Sequence, residues 1–212
     1  MAASGDFIRQ SKPVRPAPIT LAHWAVGLAC AAPLVWLIAQ LFLGGLGANP
    51  VEKLTRELGQ WGLRFLLLTL ALGSVAALAK TPVLLRFRRT LGLFAFGAIS
   101  LHLLSWVGLD HGFDLSALWK GIVKRPYITI GMAAFLALIP LAITSTNGMI
   151  RRIGPKRWKL LHRLTYGVVV AGIVHFYLLV KADHTEPLIY AAIAACLLGA
   201  RFVPVLRARF AA

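Results

Sequence analysis

Long apolar runs separated by short polar connections set the pattern of this chain. Six stretches approach the roughly 20 mainly apolar residues that a helix needs to cross the hydrocarbon core. They are Ile19 to Leu46, Trp61 to Ala79, Leu91 to Leu109, Tyr127 to Ile143, Leu161 to Val180 and Leu188 to Val203. The pattern predicts an all-α fold, an integral membrane bundle of six transmembrane helices. The first stretch is long enough to tilt or bend, with Pro33 as the natural kink site. Arg64 stands near the start of the second, where its long stem can reach the interface. The expected layout is a cytoplasmic arm over residues 1–16, the bundle over 17–204 and a cytoplasmic tail over 205–212.

Composition agrees with that picture, since 58% of the 212 residues are apolar and the mean hydropathy is +0.75. A soluble domain has about 45–50% apolar residues. The formal charge of +16 raises the possibility of a nucleic-acid partner. Its distribution argues otherwise, because the basic residues cluster between apolar segments instead of on one face. Most of the 23 fall on one predicted side: Arg9, Lys12 and Arg15; Lys80, Arg86, Arg88 and Arg89; Arg151, Arg152, Lys156, Arg157, Lys159 and Arg163; Arg201, Arg207 and Arg209. All but one of the seven acidic residues (Glu52, Glu57, Asp110, Asp114, Asp183, Glu186) fall on the other. The positive-inside rule therefore places both termini in the cytoplasm.

Cys30 and Cys196 lie in apolar stretches without C-x-x-C spacing, so they read as small core residues rather than disulfide or zinc ligands. A cleaved signal peptide is not expected, because the first apolar stretch starts late and runs too long. No connection is long enough for a second folded domain, and no G-x-G-x-x-G follows a strand. Any reduced pyridine nucleotide is therefore handled by another protein.

Six histidines carry the candidate chemistry. His111 and His184, beside Asp110 and Asp183, read as solvated loop residues. An imidazole in hydrocarbon is costly unless partnered, so the intramembrane histidines point to a site. Measured from Leu91 and Leu161 at about 1.5 Å per residue, His102 and His175 lie roughly 16 and 21 Å deep. At such similar depths, two histidines on different helices can clasp one haem iron. The plainer possibility is that each only hydrogen-bonds a neighbouring helix. Gly92, Gly97, Ala98, Gly167, Ala171 and Gly172 offer room for a flat macrocycle, or for ordinary close packing. His162 opens the fifth helix at its cytoplasmic edge. It stands 13 residues before His175, about 140° away on a straight helix, so aiming both inward needs an irregular turn near Gly167 or Gly172. His23, near the start of helix 1, reads as interfacial packing, or as a substitute ligand at the level of His162. A proton or metal transporter using the same histidines is the alternative, although the spans hold almost no acidic partners.

The run Leu141-Ala142-Ile143-Thr144-Ser145-Thr146-Asn147 carries a resemblance, together with Arg151-Arg152-Ile153-Gly154, Trp158, Leu161-His162-Arg163-Leu164, Tyr166 and His175. So do Leu101-His102 and the Arg88-Arg89-x-Leu91-Gly92 start of that helix. This chain resembles the MsrQ (YedZ) family, haem-binding membrane subunits of the bacterial protein-methionine-sulfoxide reductase system. The resemblance implies a ferric-reductase-like domain in the inner membrane binding haem b and FMN. Its electrons come from the quinone pool or a cytoplasmic flavin reductase and go to the periplasmic molybdopterin subunit MsrP, which acts on the sulfoxide. It also implies His102 and His175 as haem ligands, with His162 touching a second haem or the flavin. Related reductases often carry two histidines on each of two helices. Here Arg88 and Arg89 occupy the matching positions, which leaves a second haem short of a ligand and the cytoplasmic level free for flavin. There Arg151 and Arg152 suit a phosphate, or anionic lipid and topology control. Thr144, Ser145 and Asn147, with Trp158 and Arg163, suit a flavin or quinone ring, or the capping of helix 4.

Overall fold

A computed structural model describes the backbone of residues 18–210 and the side chains of residues 21–200. The predicted arm and its Arg9, Lys12 and Arg15 lie outside the described residues, as do the side chains of Arg201, Arg207 and Arg209. The described chain is all-helical, without a strand. In order it forms α1 (Pro18–Leu43), α2 (Pro50–Leu78), a 3-10 turn (Pro82–Phe87), α3 (Arg88–Leu104) with a π-type continuation (Ser105–Asp110), and α4 (Leu115–Lys124). Then follow α5 (Pro126–Ile143), α6 (Asn147–Ile153), α7 (Pro155–Leu161), α8 (Leu164–Leu179) and α9 (Thr185–Phe210).

Five segments among the described residues are long and apolar enough to cross a membrane: Leu21–Leu43, Pro50–Leu78, Pro82–Asp110, Pro126–Ile143 and Pro155–Leu179. The described apolar part of α9, Thr185–Ala200, is shorter. Large apolar side chains such as Trp24, Trp36 and Phe42 of α1 are more than 60% exposed. A continuous apolar exterior of that kind suits lipid and would aggregate in water.

α2 differs most from the sequence expectation. It begins 11 residues before Trp61, because Asn49 and Pro50 make a strong helix start. The Asn49 side chain accepts the Glu52 backbone N–H at 3.4 Å and donates to the Glu52 carboxylate at 2.9 Å. The polar run from Val51 to Gln60 is thus helical, and Arg64 sits mid-helix instead of near an end. Its guanidinium does not need to reach the interface: it donates to Tyr190 Oη at 2.8 Å and to Gln60 Oε1 at 2.9 Å, and rests over the Trp61 ring.

α2 is the hub of the bundle, packing against α1, α3, α8 and α9. Its Leu58, Phe65, Leu66 and Leu70 are almost fully buried. Ala95 and Ala98 of α3 have no exposed surface, and an added Cβ on Gly62 would run into Ile99, so α2 and α3 approach through small residues. α5 and α8 form a second antiparallel pair, joined to the first through α3–α5 and α2–α8 contacts. α9 runs parallel to α2: Gln60 meets Glu186 at 2.8 Å, Arg64 meets Tyr190, and Ser74 donates to the Leu197 carbonyl at 3.2 Å. At the start of α9, the side chain and backbone of Thr185 hydrogen-bond the Asp183 carboxyl and hold it below the usual carboxylate range.

Two smaller expectations also change. Cys30 is buried as expected, but Cys196 is exposed. The loop expected before residue 126 contains α4, a short helix with Leu118 buried and Leu115, Trp119 and Val123 exposed on one side.

The α2–α3 contact is directly testable. Gly62→Ala should lower the thermal midpoint of the detergent-solubilised protein by an amount worth about 1–3 kcal/mol of overpacking. Gly97→Ala, whose Cβ meets nothing within 4 Å, should leave the midpoint unchanged or raise it. Equal losses in both would contradict this packing.

Candidate functional site

His102 and His175 come from the C-terminal halves of α3 and α8, the second helices of the two antiparallel pairs. Their rings lie 6.1 Å apart between centroids, with planes crossed at 86°. The Nδ1–H of His102 donates to the Thr55 carbonyl of α2 at 2.7 Å. That of His175 donates to the Tyr127 carbonyl of α5 at 2.6 Å. A carbonyl can only accept, so each bond places the proton on Nδ1 and leaves Nε2 as a lone-pair donor in the neutral ring. No hydrogen bond engages either Nε2, and no buried side-chain nitrogen or oxygen among the described residues lacks a partner. Both Nε2 atoms therefore open onto free space.

That space is a cavity of about 910 Å³ lined by Leu63, Ile99, His102, Phe135, Val168 and His175, among others. Its walls are mostly aliphatic and aromatic, and its size suits a cofactor. Its polar residues gather near the helix ends, where Glu52, Arg56, Asp110, Arg125 and Asp183 also line it. Two imidazoles bonded through one nitrogen each to a shared metal, at about 2.0–2.1 Å per bond, have centroids roughly 6.4 Å apart. The donor set and spacing therefore fit a bis-imidazole metal centre with a flat group between the helix pairs.

The glycines that admit the rings are not those expected from sequence. An added Cβ on Gly92, Gly97 or Gly167 meets nothing within 4 Å, and on Gly172 it meets Leu63 at 3.6 Å. Gly59 and Gly131 touch the imidazoles instead: a Cβ on Gly59 would lie 3.0 Å from His102 Nδ1, and one on Gly131 2.7 Å from His175 Nδ1. Ser105 supports the first ring from beyond. Its hydroxyl donates to the His102 carbonyl at 2.9 Å and meets the Thr55 hydroxyl at 2.8 Å, at the point where α3 widens into the π-type turn.

His162 belongs to a separate cluster at the other end of the bundle. The helix breaks at His162–Arg163, and no irregularity at Gly167 or Gly172 is needed to turn it inward. The Thr144 hydroxyl donates to the Pro140 carbonyl at 2.6 Å, which leaves it to accept from His162 Nε2–H at 3.0 Å. Trp158 stacks on His162 at 3.9 Å and donates its indole N–H to the Thr144 carbonyl at 2.9 Å. Thr144, Trp158 and His162 are thus brought together, with Arg88 and Arg89 within electrostatic reach. Ser145 instead bonds back to the Leu141 carbonyl, and Asn147 accepts from Arg89 at 2.7 Å. Arg151, Arg152 and Arg163 are exposed at the same end. The His23 ring packs tilted against Phe87, with centroids 4.9 Å apart, while His111 and His184 pack on Trp106 and Tyr177.

The family model "Ferric reductase like transmembrane component" matches residues 58–173, a range that includes Gly59, His102, Gly131 and His162. A curated protein of Caulobacter vibrioides, "Protein-methionine-sulfoxide reductase heme-binding subunit MsrQ", is 57% identical over 174 residues, covering 82% of this chain and 83% of the relative. This chain belongs to the MsrQ family. Members of the same name from Rhodospirillum rubrum and Herminiimonas arsenicoxydans are 55% and 44% identical, covering 89% and 88% of this chain and 91% and 86% of their own lengths. MsrQ membership and the five apolar spans make this a multi-pass membrane protein.

His102 and His175 were legible in the sequence, whereas the residues that hold them, Thr55, Gly59, Tyr127 and Gly131, were not. Gly59 lay in a stretch read as a loop. The Asn49-Pro50-x-Glu52 start was the signal that could have extended the helix to it.

The His162 cluster makes its own prediction. Trp158→Phe, which keeps the stack and loses the indole N–H, should cost about 0.5–1.5 kcal/mol in thermal stability. Trp158→Ala should cost more. Unchanged melting in both would show that the indole bond and the stack do not hold this end together.

Proposed function

We propose that this protein carries electrons across the bacterial inner membrane as the haem-bearing subunit of a methionine-sulfoxide reductase system. The observation that carries the reading is the pair of crossed imidazoles, 6.1 Å apart, with both Nδ1 protons committed to backbone carbonyls and both Nε2 atoms left for a metal. A haem b held between them supplies reversible one-electron chemistry at iron. His102 and His175 would hold it through their Nε2 atoms, and a bis-imidazole iron would favour electron transfer over oxygen activation. Leu63, Ile99, Phe135 and Val168 exclude water around it.

The relatives' printed names, "heme-binding subunit" of a methionine-sulfoxide reductase, support both the cofactor and the kind of partner. The finer reading has six spans and both termini cytoplasmic, in keeping with the parallel run of α9 along α2 from Glu186 to Leu197. The His162 end, with Thr144, Trp158, Arg151 and Arg152 beside it, faces the cytoplasm and takes FMN. Electrons enter there from quinol or a flavin reductase and leave at the opposite end to the periplasmic molybdopterin subunit MsrP.

The purified protein should show a sharp Soret band that shifts on reduction. His102→Ala and His175→Ala should each abolish it in a folded protein, whereas His162→Ala should keep the main absorbance. A folded but colourless wild type would refute the haem reading. Flavin is tested separately: denaturation should release noncovalent FMN, less of it from Arg151→Ala/Arg152→Ala, and no flavin at any stoichiometry would remove that part.

A further inference from the structure

In an α-helix the Cα–Cβ bond tilts toward the N-terminus, so the side chain of residue i+4 lies over the carbonyl of residue i. A neighbouring ring approaches that carbonyl with least obstruction where position i+4 carries no side chain. Thr55 and Gly59 stand at this spacing on α2, and Tyr127 and Gly131 stand at it on α5. Each carbonyl accepts the glycine N–H within its own helix and keeps a second lone pair, which the imidazole Nδ1–H takes at 2.7 Å for His102 and 2.6 Å for His175. Each ring also lies against its glycine, with Nδ1 3.0 Å from a built Cβ at Gly59 and 2.7 Å from one at Gly131. The same arrangement thus occurs twice, once on the first helix of each antiparallel pair.

We propose that Gly59 and Gly131 are positioning residues: each pairs with the carbonyl four residues earlier to form a seat that fixes the rotation of one axial imidazole, and the two seats together impose the crossed planes. This inference rests on the ligand reading above and deepens it. An imidazole held by contact on one face and by a short bond at Nδ1 cannot rotate about its bond to a metal, so the 86° crossing is set by the protein. The Nδ1–H bond also makes each imidazole a stronger donor, which favours the oxidised metal and holds the reduction potential down. Crossed axial planes give a low-spin ferric centre high magnetic anisotropy, read in electron paramagnetic resonance as one broad low-field line instead of a three-line rhombic spectrum.

The test uses the full chain, purified with its haem. Gly131→Ala should raise the midpoint potential, convert the broad line to a rhombic spectrum and weaken haem retention on the order of 10–100-fold. Gly59→Ala should change the same readouts in the same direction but less, because its built Cβ sits farther from the ring. Gly92→Ala and Gly167→Ala, with open space at the Cβ, should match wild type in both potential and line shape. A merely structural glycine would lower melting and leave potential and line shape alone. If Gly131→Ala does not fold, Gly59→Ala decides. Haem-loaded Gly59→Ala with wild-type potential and wild-type line overturns the proposal while His102→Ala and His175→Ala still lose their haem. Haem retained in either histidine variant overturns the ligand reading itself.

Discussion

Every polar group within the hydrocarbon has to find its partner inside the protein, and for this chain that requirement falls hardest on two imidazoles. Water cannot satisfy them, and the backbone carbonyls around them are already engaged in their own helices. The carbonyls of Thr55 and Tyr127 are reachable because a glycine stands one turn on, and they take the Nδ1 protons of His102 and His175. The rest of the bundle follows from holding those two contacts in register. α2 must lie close to α3, which Gly62, Ala95 and Ala98 permit, and α5 must lie against α8. Joining the two pairs then faces the free Nε2 atoms toward one cavity.

The same rule explains the polar residues elsewhere in the spans. Arg64, a full charge in the middle of α2, is shared among Tyr190, Gln60 and the Trp61 face, and the Gln60–Glu186 bond continues that line along α9. Thr69, Ser74, Ser100 and Ser145 return their hydroxyls to carbonyls four residues back or, for Ser74, also across to α9. Thr144 does this as well and then accepts from His162, which ties the end of α5 to the start of α8, with Trp158 stacked on the His162 ring. The acidic groups gather at one end: Arg89 bonds Asn147 where His162 lies, while Glu52, Asp110 and Asp183 line the opposite mouth together with Arg56 and Arg125.

Much of this was legible in the sequence for physical reasons. A membrane span is written in length and hydropathy, so five of the six stretches reappear as helical segments long and apolar enough to cross, and the matched depths of His102 and His175 pointed to their meeting. What escaped was information not carried by hydropathy. The polar first turns of α2 look like a loop until the Asn49 cap is given weight, and Arg64 then changes from an interfacial to an internal residue. The six glycines and alanines singled out near the histidines looked equivalent in sequence, but the glycines that touch the rings, Gly59 and Gly131, stand four positions after an accepting carbonyl on the facing helix, and that is a tertiary relation. α4 was missed because ten residues with one buried side chain give too short a periodicity to stand out.

The central claim is that both imidazoles bind one metal through Nε2. Pulsed electron–nuclear double resonance on the ferric protein, grown with nitrogen-15 histidine, tests it most directly. The account predicts two strongly coupled histidine nitrogens in wild type, with no bis-histidine signal after substitution of either His102 or His175. One coupled histidine nitrogen in wild type, or two surviving the loss of His102 or of His175, would contradict it.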